Sequence, residues 1–325
     1  MIVQFICRAI LLGVPLLLGS TGEIITEKAG HLNLGIPGIM YVGAISGVIG
    51  SFLYENSGAE MNGVLAVLIP FVCAVLGSTL MGFIYSFLTV TLRANQNVTG
   101  LAITTFGIGI GNFFGGSLIN LTNTDMPSIA LSKTSSFFAV KLPFADDLGA
   151  VGEILFSHDF LTYLAIIIAV VTAIVLKRTR VGLNLRSVGE NPATADAAGI
   201  NVIRYKYLAT CIGSAIAGLG GLQYVMSYAN GVWSNNAFGD RGWMAIALVI
   251  FALWNPTSAI VGSFIFGALC NANNYIQGLG AETQELFKML PYAVTIIVLI
   301  ITSMRKKREH QPPQSLGISY FREDR

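Results

Sequence analysis

The sequence predicts an all-α fold, a polytopic bundle of transmembrane helices with about nine spans, within a range of roughly eight to ten. Three observations predict it. Hydrophobic residues make up 54% of the 325-residue chain and charged residues only 11%, against roughly 25% charged in soluble domains, and the mean hydropathy is +0.68. Apolar runs long enough to cross a hydrocarbon core of about 30 Å recur along the chain. Charges gather in the connections between those runs, where a spanning protein can solvate them.

In chain order, residues 3–21 form the first apolar run. Arg8 is a lone charge and no small-x-small cleavage site follows Gly19, which favours a retained span over a secretory signal. Further long runs occupy 64–91, 97–121, 158–176, 205–229 and 286–303, and shorter or Gly- and Pro-interrupted ones occupy 36–54, 241–254 and 256–277. The connection 122–157 is rich in Thr, Ser, Asp and Pro and is too short for a separate domain. Residues 1–304 thus form one transmembrane domain with a cytoplasmic segment at 177–206, followed by a basic cytoplasmic tail, 305–325.

Basic residues set the orientation. With nine spans and an internal C-terminus, fourteen of the nineteen Lys and Arg fall inside: Lys28, Arg93, six in 177–206 and six after Met304. The N-terminus is therefore expected outside and the C-terminus in the cytoplasm of a bacterial-type plasma membrane. The tail reads as a stop-transfer anchor held by anionic headgroups.

The stretch 177–206 is a long polar segment flanked on both sides by membrane-grade apolar runs, and it carries six basic residues. Asn191 before Pro192 reads as an N-cap followed by a first-turn proline, and Gly199 as a stop, giving a short helix over 192–198. A helix this short is marginal alone, so a partner protein is expected to hold it in shape, which makes it a docking element.

Two other fragments share a glycine spacing ahead of an apolar run. NLGIPGIMYVGAISG at 33–47 is interrupted by Gly35, Pro37 and Gly38, and FGDRGWMAIAL spans 238–248. Irregular backbone at membrane depth survives only against protein or a water-filled cavity. Paired interrupted segments of opposite orientation are what an inverted repeat with broken helices produces, and close helix packing produces similar spacings. Packing is the better account of Gly43 and Gly47, and of Gly107, Gly111 and Gly115. Polar groups expected at depth are Asn95, Gln96, Asn97 and Thr99, a cluster that reads equally as an interfacial cap and does so best at Asn95, then Asn112 and Asn120, with Asp240 and Arg241 marking either a pore surface or the outer water boundary.

Several functions are excluded or weakened. Cys7, Cys73, Cys211 and Cys270 lie in apolar runs and read as packing residues. His31, His158 and His310 form no metal-ligand spacing, and Ser46 lacks the surroundings of a nucleophile. FGIGIG at 106–111 lacks the third glycine of a dinucleotide loop. No Walker A sequence occurs, so energy from ATP would come from another subunit. Neither an enzyme, a metal site, a cofactor in this chain nor a nucleic-acid partner is expected. Mid-span ionisable residues, the usual mark of an ion-coupled carrier, are scarce, and a membrane scaffold would not need paired broken segments.

GEIITEKAGHLNLGIPGIMYVGA at 22–44, RANQNVTGLAI at 93–103, VGENPATADAAGI at 188–200 and RGWMAIALVIFALWNP at 241–256 resemble the permease subunits of nucleoside-type ABC importers. The wider group includes simple-sugar and branched-chain amino acid permeases, and the likeness runs in order from about residue 20 to 300. The resemblance implies ATP-driven import of nucleosides or related small polar solutes by alternating access. A simple-sugar ABC permease is the alternative within the class, and an ion-coupled secondary carrier the alternative outside it. It also implies a second homologous permease, ABC ATPase subunits that bind ATP and Mg, and an extracytoplasmic solute-binding lipoprotein. Segment 190–200 would be the coupling helix, carried by Glu190, Asn191, Pro192, Ala193, Asp196 and Gly199. Pore-lining positions would be Asn33, Gly35, Gly38, Asn97, Asn112, Gly239 and Gly242. One departure stands out: Pro37 occupies a position where nucleoside permeases commonly carry glutamate.

Overall fold

The computed structural model describes residues 2–58, 60–121, 128–140, 149–272, 275, 281–305 and 311–321. In chain order its elements are α1 (Ile2–Lys28), α2 (Ile36–Glu55), α3 (Gly63–Ser86), α4 (Gln96–Leu121), strand β1 (Ser128–Ala130), α5 (Ser132–Phe138), α6 (Gly149–Phe156) and α7 (Phe160–Arg178). There follow α8 (Arg180–Glu190), α9 (Pro192–Ala197), α10 (Val202–Gln223), strand β2 (Val232–Ser234), α11 (Arg241–Phe251), α12 (Pro256–Ala272) and α13 (Ala281–Arg305). One π-helical turn extends α3 through Thr91, and another extends α10 through Tyr228.

Six of these helices, α1, α2, α3, α4, α7 and α10, are long and apolar enough to cross a membrane. Three shorter apolar helices, Arg241–Phe251, Pro256–Ala272 and Met289–Ile301, complete the nine apolar stretches that the sequence predicts. The protein is an all-helical polytopic membrane bundle. Part of the basic tail, residues 306–310 and 322–325, lies outside the described residues.

Pro37 and its flanking glycines do not break a helix as expected; they start one. Gly35 is the N-cap of α2 and Pro37 sits in its first turn, where a proline costs nothing because the missing N–H would have had no intrahelical partner. From there α2 runs unbroken for 20 residues. The genuinely short element is α11, whose 11 residues reach only about 16 Å, roughly half a bilayer core.

Helices α2 and α10 form the centre: 78% and 72% of their apolar windows are buried, against 28% for α3 and 33% for α4. Those two outer helices display Leu68, Leu76, Leu80, Phe106 and Phe113 on the surface. At the centre the backbones touch. A Cβ on Gly43 would meet the Gly218 backbone, one on Gly107 the Gly38 backbone, and one on Gly22 the Gly213 carbonyl, so these glycines are close-packing residues of the small-residue kind. Strand β1 pairs antiparallel with β2, Ile129 opposite Trp233, which ties the connection after α4 to the one after α10 at one end of the bundle.

Candidate functional site

The two glycine-bearing fragments meet inside the bundle. A Cβ on Gly242, in the first turn of α11, would collide with Cα of Pro37 in the first turn of α2. Gly38 in turn lies on the backbone of Ile103 and Thr104, some seven residues or about 10 Å along α4 from its start. Two helix N-termini therefore abut within the span of α4, and both present a partial positive charge there.

The approach to α11, residues 229–240, is largely non-helical and packs against α2, α4 and α10. Tyr41 anchors it: its hydroxyl donates to Asn112 Oδ1 at 2.5 Å and accepts from the Asn236 backbone N–H at 2.9 Å. Asn112 Nδ2 then donates to Asn236 Oδ1 at 2.9 Å. Tyr224 donates to the Ala237 carbonyl at 2.8 Å, and Arg241 donates to the carbonyls of Ala237 and Phe238 while its guanidinium lies 4.3 Å from the Tyr224 ring centroid. The Tyr41 ring also packs on Trp233 and Phe238, with centroids 5.1 and 6.2 Å away.

Aromatic groups thus fix the segment from behind while its polar side chains stay open. Asn235, Asn236, Gly239 and Asp240 are exposed and Asn112 is half-exposed. Asn112 lies sixteen residues into α4, about 24 Å from one end and about 14 Å from the other, so this open polar surface sits at helix mid-length. Lipid would leave such groups unsatisfied.

The remaining pore positions from the sequence are placed differently. Asn33, Gly35, Gly38 and Gly242 are buried. Asn33 takes a structural role: its N–H donates to Glu23 Oε1 at 3.1 Å and its Oδ1 accepts from the Gly35 N–H at 2.9 Å, so it shapes the entry to α2. Asn97 is exposed in the first turn of α4, apart from the Asn112 cluster.

The segment after α7 forms two short helices. Asn191 caps α9 by accepting from the Thr194 N–H at 3.0 Å, with Pro192 in the first turn. Gly199 closes the segment at φ +82°, a left-handed conformation that favours glycine. Glu190, Asn191, Ala193 and Gly199 are exposed, and Pro192 and Asp196 are half-buried. Ala195 faces inward at 2% exposure, packed with Val188, Val202 and Tyr320.

What steadies α9 within the chain is its own C-terminal segment. The Ser315 N–H donates to the Gly189 carbonyl at 3.0 Å, and the Tyr320 hydroxyl donates to Asp196 Oδ2 at 3.0 Å. Beyond α9 the same segment reaches α4, where Gln96 Nε2 donates to the Ile318 carbonyl at 3.4 Å, and Arg93, whose guanidinium lies 4.7 Å from the Phe321 ring centroid. A tail expected to anchor to lipid thus braces α9. Beside it, burial and then the Lys206 ammonium hold the His31 imidazole well below its usual pKa, and His31 Nδ1 bonds Thr210 Oγ1 at 3.0 Å.

A bundle of apolar helices long enough to cross a membrane, with a polar non-helical connection packed into it and a capped short helix at α9, is an architecture suited to a membrane transporter. The chain belongs to the family described as branched-chain amino acid transport system / permease component, whose model matches residues 5–299. It is 33% identical to a putative glucose ABC transporter permease protein, TsgC13, of Haloferax volcanii, over 95% of this chain and 94% of that one. It is 30% identical to the nucleoside ABC transporter permease protein NupC of Lactococcus lactis, over 91% of each chain. It is also 30% identical to the guanosine ABC transporter permease protein NupQ of Bacillus subtilis, over 88% of this chain and 87% of that one.

The chain is therefore a multi-pass ABC importer permease, a transport subunit and not an enzyme. Permeases of this kind carry no cofactor of their own, since ATP binds the ATPase partner, and the class implies ATPase and binding-protein partners.

Proposed function

We propose that this permease imports nucleosides or related small polar solutes by alternating access, along a path that runs past Asn112, Asn235, Asn236, Gly239 and Asp240. The observation that carries the proposal is an exposed, non-helical polar surface at helix mid-length, backed by Tyr41, Trp233 and Phe238. Amide groups suit the hydroxyl and base edges of a nucleoside, and two abutting helix N-termini suit electron-rich oxygen atoms. Likeness to nucleoside and guanosine permeases supports the same solute class.

Residues 190–200 serve as the coupling helix, with Glu190, Asn191, Pro192, Ala193, Asp196 and Gly199 at the ATPase surface. The exposure of α9 on one side and its bracing on the other support this reading. Nucleotide-driven closure of the ATPases then displaces α9 and shifts the bundle between two access states. The working assembly contains a second homologous permease, ABC ATPase subunits and an extracytoplasmic solute-binding lipoprotein. An N-terminus outside and a C-terminus in the cytoplasm agree with fourteen of nineteen basic residues on one side.

A simple-sugar reading stands second, favoured by the likeness to a putative glucose permease. Uptake of radiolabelled nucleosides by vesicles holding the assembled importer, with and without internal ATP and with ribose or glucose as competitor, separates the two. ATP-dependent nucleoside uptake that sugars do not inhibit, and that Asn236→Leu and Asn112→Leu reduce, is the expected result. Sugar uptake moves the assignment to the second reading, and uptake without ATP overturns both.

A further inference from the structure

A cavity of about 300 Å³ lies beside the coupling segment, between the end of α9, the start of α10, the π-helical turn after α3 and the C-terminal segment. Its walls include Lys206, Arg93, His31, Asp196, Asn201 and Tyr320. Nothing in the transport path described above uses it.

Lys206 is the unusual member. It is 3% exposed and lines the cavity, and its ammonium makes no hydrogen bond or ion pair to another described residue. Burying an ammonium without a partner is costly, so a lysine held facing a polar cavity is suited to an anion that enters. Arg93 stands across the same cavity with its guanidinium fixed on the Phe321 ring. Val202 and Ile203, in the first turn of α10, also line it, and helix first-turn N–H groups lack intrahelical acceptors. Asp196 is the one acidic member on the described wall, and it is engaged by the Tyr320 hydroxyl.

We propose that this cavity binds a phosphate-bearing anion, held by Lys206 and Arg93 and closed on one side by Tyr320. Two cationic donors of different geometry, a point-charge ammonium and a planar guanidinium, match a tetrahedral oxyanion with several acceptor oxygens. A neutral sugar would leave the ammonium unpaired, and a divalent cation would be repelled. The phosphate can belong to a soluble compound or to a phospholipid headgroup, since both present the same tetrahedral oxyanion. Its occupant would touch α9, α10 and the C-terminal segment together.

The test uses the full-length permease in nanodiscs of phosphatidylcholine alone, titrated with inorganic phosphate or with chloride at matched ionic strength. A parallel set contains phosphatidylglycerol, with retained lipid counted by native mass spectrometry. Lys206→Met and Arg93→Gln are compared with the parent, their folding checked by circular dichroism. Phosphate binding weakened about tenfold by Lys206→Met, the loss of one charge-assisted contact, is the expected result. Selective loss of phosphatidylglycerol in the variants, without phosphate binding in the neutral discs, assigns the site to a lipid headgroup and also supports it. Arg93→Gln, on an exposed residue, decides the matter if Lys206→Met does not fold. Should neither phosphate nor phosphatidylglycerol binding respond to the variants, the anion site is overturned.

Discussion

Tyr320→Phe tests the bond that ties the C-terminal segment to α9. The substitution keeps the ring against Val188, Ala195 and Val202 and removes only the hydroxyl that donates to Asp196 Oδ2 at 3.0 Å. A hydrogen bond to a charged group contributes about 1.5–3 kcal/mol. Asp196 is half-buried and water can replace part of the loss, so about 1–1.5 kcal/mol is the appropriate share. With 1.4 kcal/mol equal to a factor of ten, local opening of α9 should become about fivefold to tenfold more frequent. Hydrogen exchange followed by mass spectrometry on the full-length protein in nanodiscs reads this directly, at the Ala198, Gly199 and Ile200 amides that close the helix on Thr194, Asp196 and Ala195. Tyr320→Ala should accelerate the same amides further, because it also strips the ring from the cluster. Peptides from the middle of α1 and α10 should not change. Unaltered exchange at 198–200 in both variants would refute the bracing role of the C-terminal segment.

Gly242→Val should separate the first turns of α2 and α11, since its Cβ has only Pro37 backbone and ring in front of it; overpacking of about 1–3 kcal/mol and a loss of uptake are expected, read by thermal unfolding in lipid and vesicle transport. Trp254→Phe removes the indole N–H that donates to buried Glu27 and should cost about 1–3 kcal/mol, lowering thermal stability. Asn191→Ala removes the cap on Thr194 N–H and should cost α9 about 0.5–2 kcal/mol, seen as faster exchange at 194–200 with the bundle unchanged.

Helix α9 was legible because capping is local: Asn191, Pro192 and Gly199 state their roles as cap, first turn and stop within nine residues of chain, and each plays that role in the structure. Likewise Asn255 and Pro256 start α12, the Asn255 side chain accepting from the Thr257 N–H at 3.2 Å. The nine apolar stretches followed from composition for the same reason. Long-range pairings left no such mark. Tyr41 sits in an apolar run and looks like a core residue, although its hydroxyl organises Asn112 and Asn236 from 71 and 195 positions away. The bracing by 311–321 was equally hidden, since a short polar tail carries no periodicity and its partner Asp196 lies 124 positions upstream. The turn between α11 and α12 puts Leu253 and Trp254 at φ +54° each, a conformation that residue type argues against and that the Trp254–Glu27 bond helps to secure.

These contacts join the two sites through a short series of rigid pieces. Gly189, at the end of α8, lies on the Lys28 carbonyl at the end of α1 and on Gly30, and the Ser315 hydroxyl reaches the same Gly189. Beyond Gly30, the Leu32 N–H is held by Gln96 Oε1 at 2.8 Å and the Leu32 carbonyl by the Tyr85 hydroxyl at 2.7 Å. Asn33 then sets the start of α2, whose first turn abuts α11 at Gly242. A displacement of α8 and α9 therefore has little soft material to absorb it before it reaches the abutting N-termini behind the polar surface. Glycines at each crossing keep backbone against backbone, so a shift there is resisted by direct contact and is favoured to switch between discrete packings over deforming gradually. Contiguity alone does not measure coupling; the arrangement nevertheless explains why residues 29–35, of which only Leu32 and Leu34 are half-exposed, are built from buried hydrogen bonds and close contacts instead of loop-like solvent exposure.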